Sequence, residues 1–399
     1  MRSLSLLLLL GLVFTSSAGP TSEAAEEASS EEANKGTVGI MTGELGDSDI
    51  RIAADLKAVL NEGDRLRVLP TLGQGSLKNV NDLLYLRGID MAIVQADALS
   101  LVKQQQRFPG LEQQLNYVTK LYGEELHVLA RRGIASVIGL QGKKVNFVSM
   151  DSGNYVTGQL MLEAFGVTVE PVFVDTAMAI EMVGKGEIDA TVLVTAKPAA
   201  PIAALPPDGK VHLLPIETAE LRAPYRQAEL AATDYPNLVQ PGRSIETIAV
   251  DSVLMVYNWR SDHWRYAKVA RFVDAFLGRF DEFLQRPRDD KWQEVDVAAT
   301  VDGWDRFPPV QSWLKDNAVA PSTAVAHAPA SGSSARQQEA LAQNPSLRRN
   351  FREFLDQHAA EIEAGSLGQF NSEALFERFI VWQRQRTLES RGQIKTPTF

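Results

Sequence analysis

Cysteine is missing from all 399 residues. Its absence excludes disulfide scaffolds, thiol nucleophiles, Cys-ligated zinc or iron-sulfur centres, and lipid attachment through a cysteine behind a leader. Histidine is scarce. His127, His212, His263, His327 and His358 never fall at metal-ligand spacing, and neither HExxH, GxSxG nor the Gly-Lys-Ser/Thr end of a P-loop occurs. The chain is therefore expected not to be an enzyme and to need no metal or cofactor. Basic residues are also in deficit, 40 Lys and Arg against 50 Asp and Glu for a net charge of -10. A nucleic-acid groove needs clustered cations facing phosphates, so nucleic acid is excluded as a partner.

Long apolar runs are lacking except at the start. Arg2, the run Leu4 to Phe14, and the small residues Ser16, Ser17 and Ala18 have the layout of a secretory leader over residues 1–18. A retained anchor would need about 20 apolar residues to span a bilayer. Export to the periplasm with cleavage is the expectation, and without disulfides the exported chain must rely on a large core. Residues 19–36 (GPTSEAAEEASSEEANKG) carry acids and small side chains and no aromatic, the composition of a disordered acidic segment.

What is present, at 45% hydrophobic residues, is enough for a large core and too much chain for one ordinary domain. From Thr37 onward, strand-length apolar runs alternate with helix-period stretches: TVGIM then IRIAADLKAVL, LRVLP then LKNVNDLLYL, MAIV then ALSLVKQQQ. Such alternation defines an α/β chain with a mostly parallel sheet. Two strand-like segments, LNYVTKLY and LHVLARR, precede a restart of the pattern at KKVNFV. Helices are predicted over about 155–165, 177–183 and 264–284, and a long strand at ETIAVDSVLMVYNW. The organisation predicted is a first lobe over 37–127, a second over 128–249, a return to the first over 250–317, a linker over 318–337 and a helical extension over 338–399.

One phrase occurs twice, LLYLRGIDMAIVQAD (83–97) and IEMVGKGEIDATVLVTAKP (180–198). In each, a helix ends at a glycine suited to a left-handed turn, Gly88 or Gly186. An aspartate, Asp90 or Asp189, then stands at a strand entrance, where a structural role is expected. The strand exits carry Gln95 and Asp97 in one copy and Thr195 in the other. Ligands of open parallel sheets bind beyond the carboxyl ends of strands, so two such sheets facing each other give a cleft with polar groups from both sides.

The order of TLGQGSLKNVNDLLYLRGIDMAIVQAD, KLYGEELHVLAR, LQGKKVNFVSMDSGNYVTGQLMLEAFGV and GEIDATVLVTAKP resembles the TAXI class of TRAP-transporter solute-binding proteins over about residues 37–284. The resemblance implies a two-lobed type II periplasmic-binding-protein fold, to which this chain adds the C-terminal helical extension. It also implies capture of a small organic acid or amino acid, and delivery to a TRAP-type membrane permease. The family's opening loop, of the kind GGTGGTYY, reads TGELGDSDIRIAADL here. Thr42 and Gly43 keep its character, the aromatic is absent, and Glu44, Asp47 and Asp49 have entered.

Binding candidates follow from the loops. SMDSGNY (149–155) lies between an apolar strand and an amphipathic helix, so Ser152, Gly153, Asn154 and Tyr155 sit where free backbone N–H groups can hold a carboxylate. Either that, or Ser152 simply caps the helix. GQGSLKN (73–79) offers Gly75, Ser76 and Asn79 in the same way, with Ser76 as the cap. The acidic loop with Glu44 and Asp47 is a solvated loop with a cap, a seat for a ligand ammonium, or a calcium site, though EF-hand spacing is absent. Tyr122 either roofs the cleft or belongs to the core. A second reading of the whole chain is a periplasmic sensing or interaction module, whose tail docks a membrane or signalling partner through Phe351, Phe354, Phe379 and Trp382.

Overall fold

The computed structural model describes residues 34–44, 46–217 and 224–320. The leader, most of the acidic segment, the linker beyond residue 320 and the helical extension with its aromatic residues lie outside the described residues.

The first half of the fold runs β1 (Thr37–Met41), α1 (Ser48–Leu60), β2 (Arg67–Thr71), α2 (Ser76–Tyr85), β3 (Met91–Gln95), α3 (Ala96–Gln104) and α4 (Leu111–Gln114). Then β4 (Leu115–Arg131) crosses to the second half, β5 (Lys144–Asn146), α5 (Gly153–Ala164), β6 (Glu170–Val172), α6 (Thr176–Lys185), β7 (Ala190–Thr195), α7 (Ala200–Ala203), β8 (Val211–Leu213) and β9 (Arg226–Ala231). The chain returns through β10 (Ser244–Tyr257) to α8 (Trp264–Gly278), α9 (Phe280–Phe283) and α10 (Pro308–Asp316).

All strands join one ten-stranded sheet with the main order β2-β1-β3-β10-β4-β7-β5-β6. The β1, β2 and β3 strands pair in parallel at one end, as do β5, β6 and β7 at the other. The long antiparallel pair β4 and β10 connects the two halves. This is the two-lobed type II periplasmic-binding-protein fold. Each lobe has its own apolar interior. Val38, Ile40, Val68 and Ile93 pack on Phe272, Phe276 and Trp292 in lobe 1, whereas Val145, Phe147 and Val192 pack on Met161 and Leu162 in lobe 2. Near-continuous apolar strands are what a parallel sheet covered on both faces requires.

The duplicated phrase has one mechanical meaning in both lobes. Asp90 Oδ2 accepts from the Gly39 amide of β1 at 3.0 Å, and Asp189 Oδ2 accepts from the Lys144 amide of β5 at 2.9 Å. Each carboxylate also holds a cation, Lys268 Nζ at 2.7 Å from Asp90 and Arg131 Nε at 2.7 Å from Asp189. The two acids pin equivalent strand entrances, far from the strand exits.

Two elements depart from the expected pattern. LNYVTKLY and LHVLARR are a single strand, β4, because the polar break between them is carried through it: Glu125 pairs with Lys291 Nζ at 2.9 Å and Glu124 accepts from Gln95 and Ser48. The helix predicted over 264–284 stops at Gly278 and resumes as the single turn α9, since Arg279 at φ -116 leaves helical geometry.

Candidate functional site

The strand exits of the two lobes face each other, and a cavity of about 20 Å³ lies between them. Lobe 1 lines it with Gly43, Glu44, Asp47, Asp49, Gly75, Ser76, Asn79, Gln95 and Glu124, and lobe 2 with Ser152, Gly153, Asn154 and Val194. One water needs about 10–15 Å³, so the lobes stand around space for a single small group.

Closure is held by contacts across the gap. Leu77 N donates to Asp151 O at 3.2 Å, Ser149 Oγ donates to Glu44 Oε1 at 2.9 Å, and Thr157 Oγ1 donates to Asp97 Oδ2 at 2.6 Å. The backbones meet most tightly at Gly75, where a Cβ would come 2.4 Å from Ser152 Cα. Only glycine allows that approach, and its φ of +105 lies in the region that other residues avoid. On the lobe 2 side Val148, at φ +68, turns the chain after β5 so that Ser149 faces Glu44. A β-branched residue there is a strained exception, of the kind that collects at binding sites.

Ten of the predicted residues line the cavity: Gly43, Glu44, Asp47, Gly75, Ser76, Asn79, Gln95, Ser152, Gly153 and Asn154. Of these, Ser152 takes the capping role that was one of its two expected readings, and Ser76 departs from expectation. Ser152 caps α5 by accepting from Tyr155 N at 3.1 Å and donates to Ser149 O at 2.7 Å, so its hydroxyl is fully used while its backbone forms the wall. Ser76 does not cap α2. Gly75 occupies that position, and Ser76 Oγ accepts from Gln95 N at 3.1 Å, tying the exit of β3. Asn154 Oδ1 likewise accepts from Val194 N at 2.7 Å.

Five predicted residues stand outside the cavity lining. Tyr122 is buried in the lobe 1 interior, where its hydroxyl donates to Asp49 Oδ1 at 2.6 Å. It supports the wall and roofs nothing. Asp97 is an interlobe latch, bonded to Thr157 and to Tyr225 Oη at 3.0 Å. Thr42 Oγ1 donates to Thr71 O at 3.1 Å, Thr195 Oγ1 lies 3.3 Å from Ser48 Oγ, and the Tyr155 ring packs edge-on against Phe147. Sequence reasoning missed Glu124 as a lining residue. Its signal was visible, an acidic pair set in the middle of an apolar strand.

Of the acids in this loop, Asp49 is buried and Glu44 and Asp47 are partly buried. Asp47 stands at the N-cap of α1, but its carboxylate accepts from Glu44 N at 2.8 Å instead of bonding the helix. Burial pushes Asp47 up to about 7, helped by the charge of Glu124, and burial likewise raises Glu124 to about 7 against the bond from Gln95. Asp49 is held well above the usual carboxylate range by burial and by Glu124, and Glu44 is raised by burial. Among the described residues no group of three or more His, Cys, Asp or Glu is placed to hold a metal ion. No described helix is long and apolar enough to cross a membrane.

Fold and site together define a two-lobed α/β scaffold with a polar cavity between the lobes. The chain belongs to the NMT1-like family, whose model matches residues 40–270. Its fold is similar to that of the alkanesulfonate-binding protein SsuA from Xanthomonas axonopodis pv. citri bound to MOPS, at 18% identity over 70% of this chain and 83% of that one, with a TM-score of 0.41. The periplasmic binding protein BugD is similar at 12% identity over 71% and 94% of the two chains, with a TM-score of 0.44. A TctC solute-binding protein from Polaromonas matches at 13% identity over 62% and 87%, with a TM-score of 0.36.

Proposed function

We propose that this protein is an exported, non-catalytic receptor that captures a small organic acid or amino acid between its lobes by hinge closure and delivers it to a membrane permease of the TRAP type. The leader over residues 1–18 would direct it to the periplasm. One observation carries the reading: both lobes contribute polar residues to one cavity, and two side-chain atoms of those residues, Asn79 Oδ1 and Gln95 Oε1, are buried without a partner. Buried polar atoms normally have one, so these acceptors wait for a ligand donor. The crossing strands β4 and β10, paired antiparallel between the two lobes, would supply the hinge.

Calorimetry of the full chain against a panel of amino acids and small organic acids tests the proposal. At least one member is expected to bind, and Glu44→Ala to weaken it at least tenfold, through loss of the charge and of the Ser149 bond. If no member binds, or Glu44→Ala binds as well as the unaltered protein, this cleft is not the solute site.

A further inference from the structure

Four carboxyl groups share the lining of this one cavity. Glu44, Asp47, Asp49 and Glu124 all line it, and among the described residues no Lys or Arg does. Arg51 Nε lies 2.7 Å from Asp289, Lys78 pairs with Asp82, Arg107 lies 3.8 Å from Asp151, and Lys291 Nζ is 2.9 Å from Glu125. Buried carboxyl groups without a cation are costly, and a protein retains them together where something else supplies the charge.

The amide side chains make the same demand independently. Asn79 is 1% exposed and Gln95 is 5% exposed. Asn79 Nδ2 spends its two hydrogens on Thr42 O at 2.8 Å and Ile93 O at 2.9 Å, which leaves Oδ1 with nothing to accept from. Gln95 Nε2 donates to Glu124 Oε2 at 2.7 Å, and its unpartnered Oε1 is turned across the gap against Gly153, 1.7 Å from where a Cβ would stand. An anionic group placed here would meet four carboxyl groups and two unpartnered amide oxygens. The positive ends of α2 and α5 do open on the cavity, but four carboxyl groups share it with them, and Leu77 N in the first turn of α2 is bonded to Asp151 O.

We infer that the group seated in this cleft is the ammonium of a small protonated amine, donating to Asn79 Oδ1 and Gln95 Oε1 with its charge balanced by Glu44, Asp47, Asp49 and Glu124. The space between the closed lobes suits a group of that size, and an ammonium brings both the hydrogens and the charge that the walls lack. This rests on the receptor reading but shifts its solute class: the amine is required, and a carboxylate on the solute is dispensable.

Putrescine, gamma-aminobutyrate and succinate share a four-carbon chain and carry two amines, one amine and none. Calorimetry of the full chain at about pH 8, where Asp47 and Glu124 are ionised, should show putrescine and gamma-aminobutyrate binding at least tenfold more tightly than succinate. Glu124→Gln keeps the side-chain shape and should weaken the amines at least tenfold. Should that variant fail to fold, the unaltered protein gives a second measurement. At about pH 6 the amine should release protons on binding, seen as a heat that changes with the ionisation enthalpy of the buffer. Succinate binding as tightly as the amines, full displacement of the amines by equal potassium chloride, or amine binding without proton release overturns the inference. Succinate alone binding would leave the receptor reading standing, whereas no binding by these three or by the wider solute panel would remove both.

Discussion

Asp90 and Asp189 do the same work in different surroundings, and the difference sets what each is worth. Asp90 and Lys268 have side chains 0% and 2% exposed, whereas Arg131, the partner of Asp189, is more than a third exposed. Removing one member of a buried pair strands the other charge, at about 3–5 kcal/mol, whereas a pair reached by water contributes about 1 kcal/mol or less. Asp90→Ala should therefore destabilise the protein several-fold more than Asp189→Ala in chemical denaturation. Equal losses would mean that the amide bond to the neighbouring strand, which both acids make, outweighs the ion pair.

At the scale of elements, closure depends on the junction of α2 and α5. A methyl at Gly75 meets the backbone of Ser152 and Asp151, which have no side-chain freedom to yield. Gly75→Ala should hold the lobes apart, lowering solute affinity at least tenfold and increasing the radius of gyration measured by small-angle scattering. Closed dimensions with unchanged affinity would show that the junction yields locally. Much of this level was legible in the sequence. The repeated phrase marked two lobes, and the glycine-rich segments before α2 and α5 marked the two walls. What could not be read was side-chain assignment. Ser76 and Ser152 were equally good caps on paper, and only the φ of Gly75 gives the cap of α2 to the glycine and frees Ser76 to bind β3. Glu124 and Glu125 are adjacent and alike in sequence, yet strand alternation sends one to the cavity and the other to Lys291. Which face a long crossing strand turns to the cleft is a tertiary fact, fixed by its register with β10.

At the scale of the molecule, the acidic cavity couples stability, pH and ligand. Burial raises Asp47 and Glu124 to about 7, so the folded protein binds more protons than the unfolded chain between the ordinary carboxylate range and neutrality. The stability these groups contribute is complete below their unfolded values and is lost as pH rises through about 7. His127 acts in the opposite sense, because burial lowers it to about 4 and the folded state resists its protonation. Its contribution is complete above its unfolded value of 6.5 and falls at lower pH. Above that point the acids dominate the pH slope. Between pH 6.5 and about pH 8 the unliganded protein should lose on the order of 1 kcal/mol through Glu124 alone, and a few degrees in melting temperature. Glu124→Gln should flatten this slope, since it has no proton to lose, and saturating amine should reverse it by favouring the ionised carboxylates. Calorimetric melting of the unliganded protein, the variant and the amine complex across that range distinguishes these cases. A melting temperature that rises with pH in the unliganded protein would mean that the four carboxyl groups are already ionised at neutrality, and that a cation other than the solute balances them.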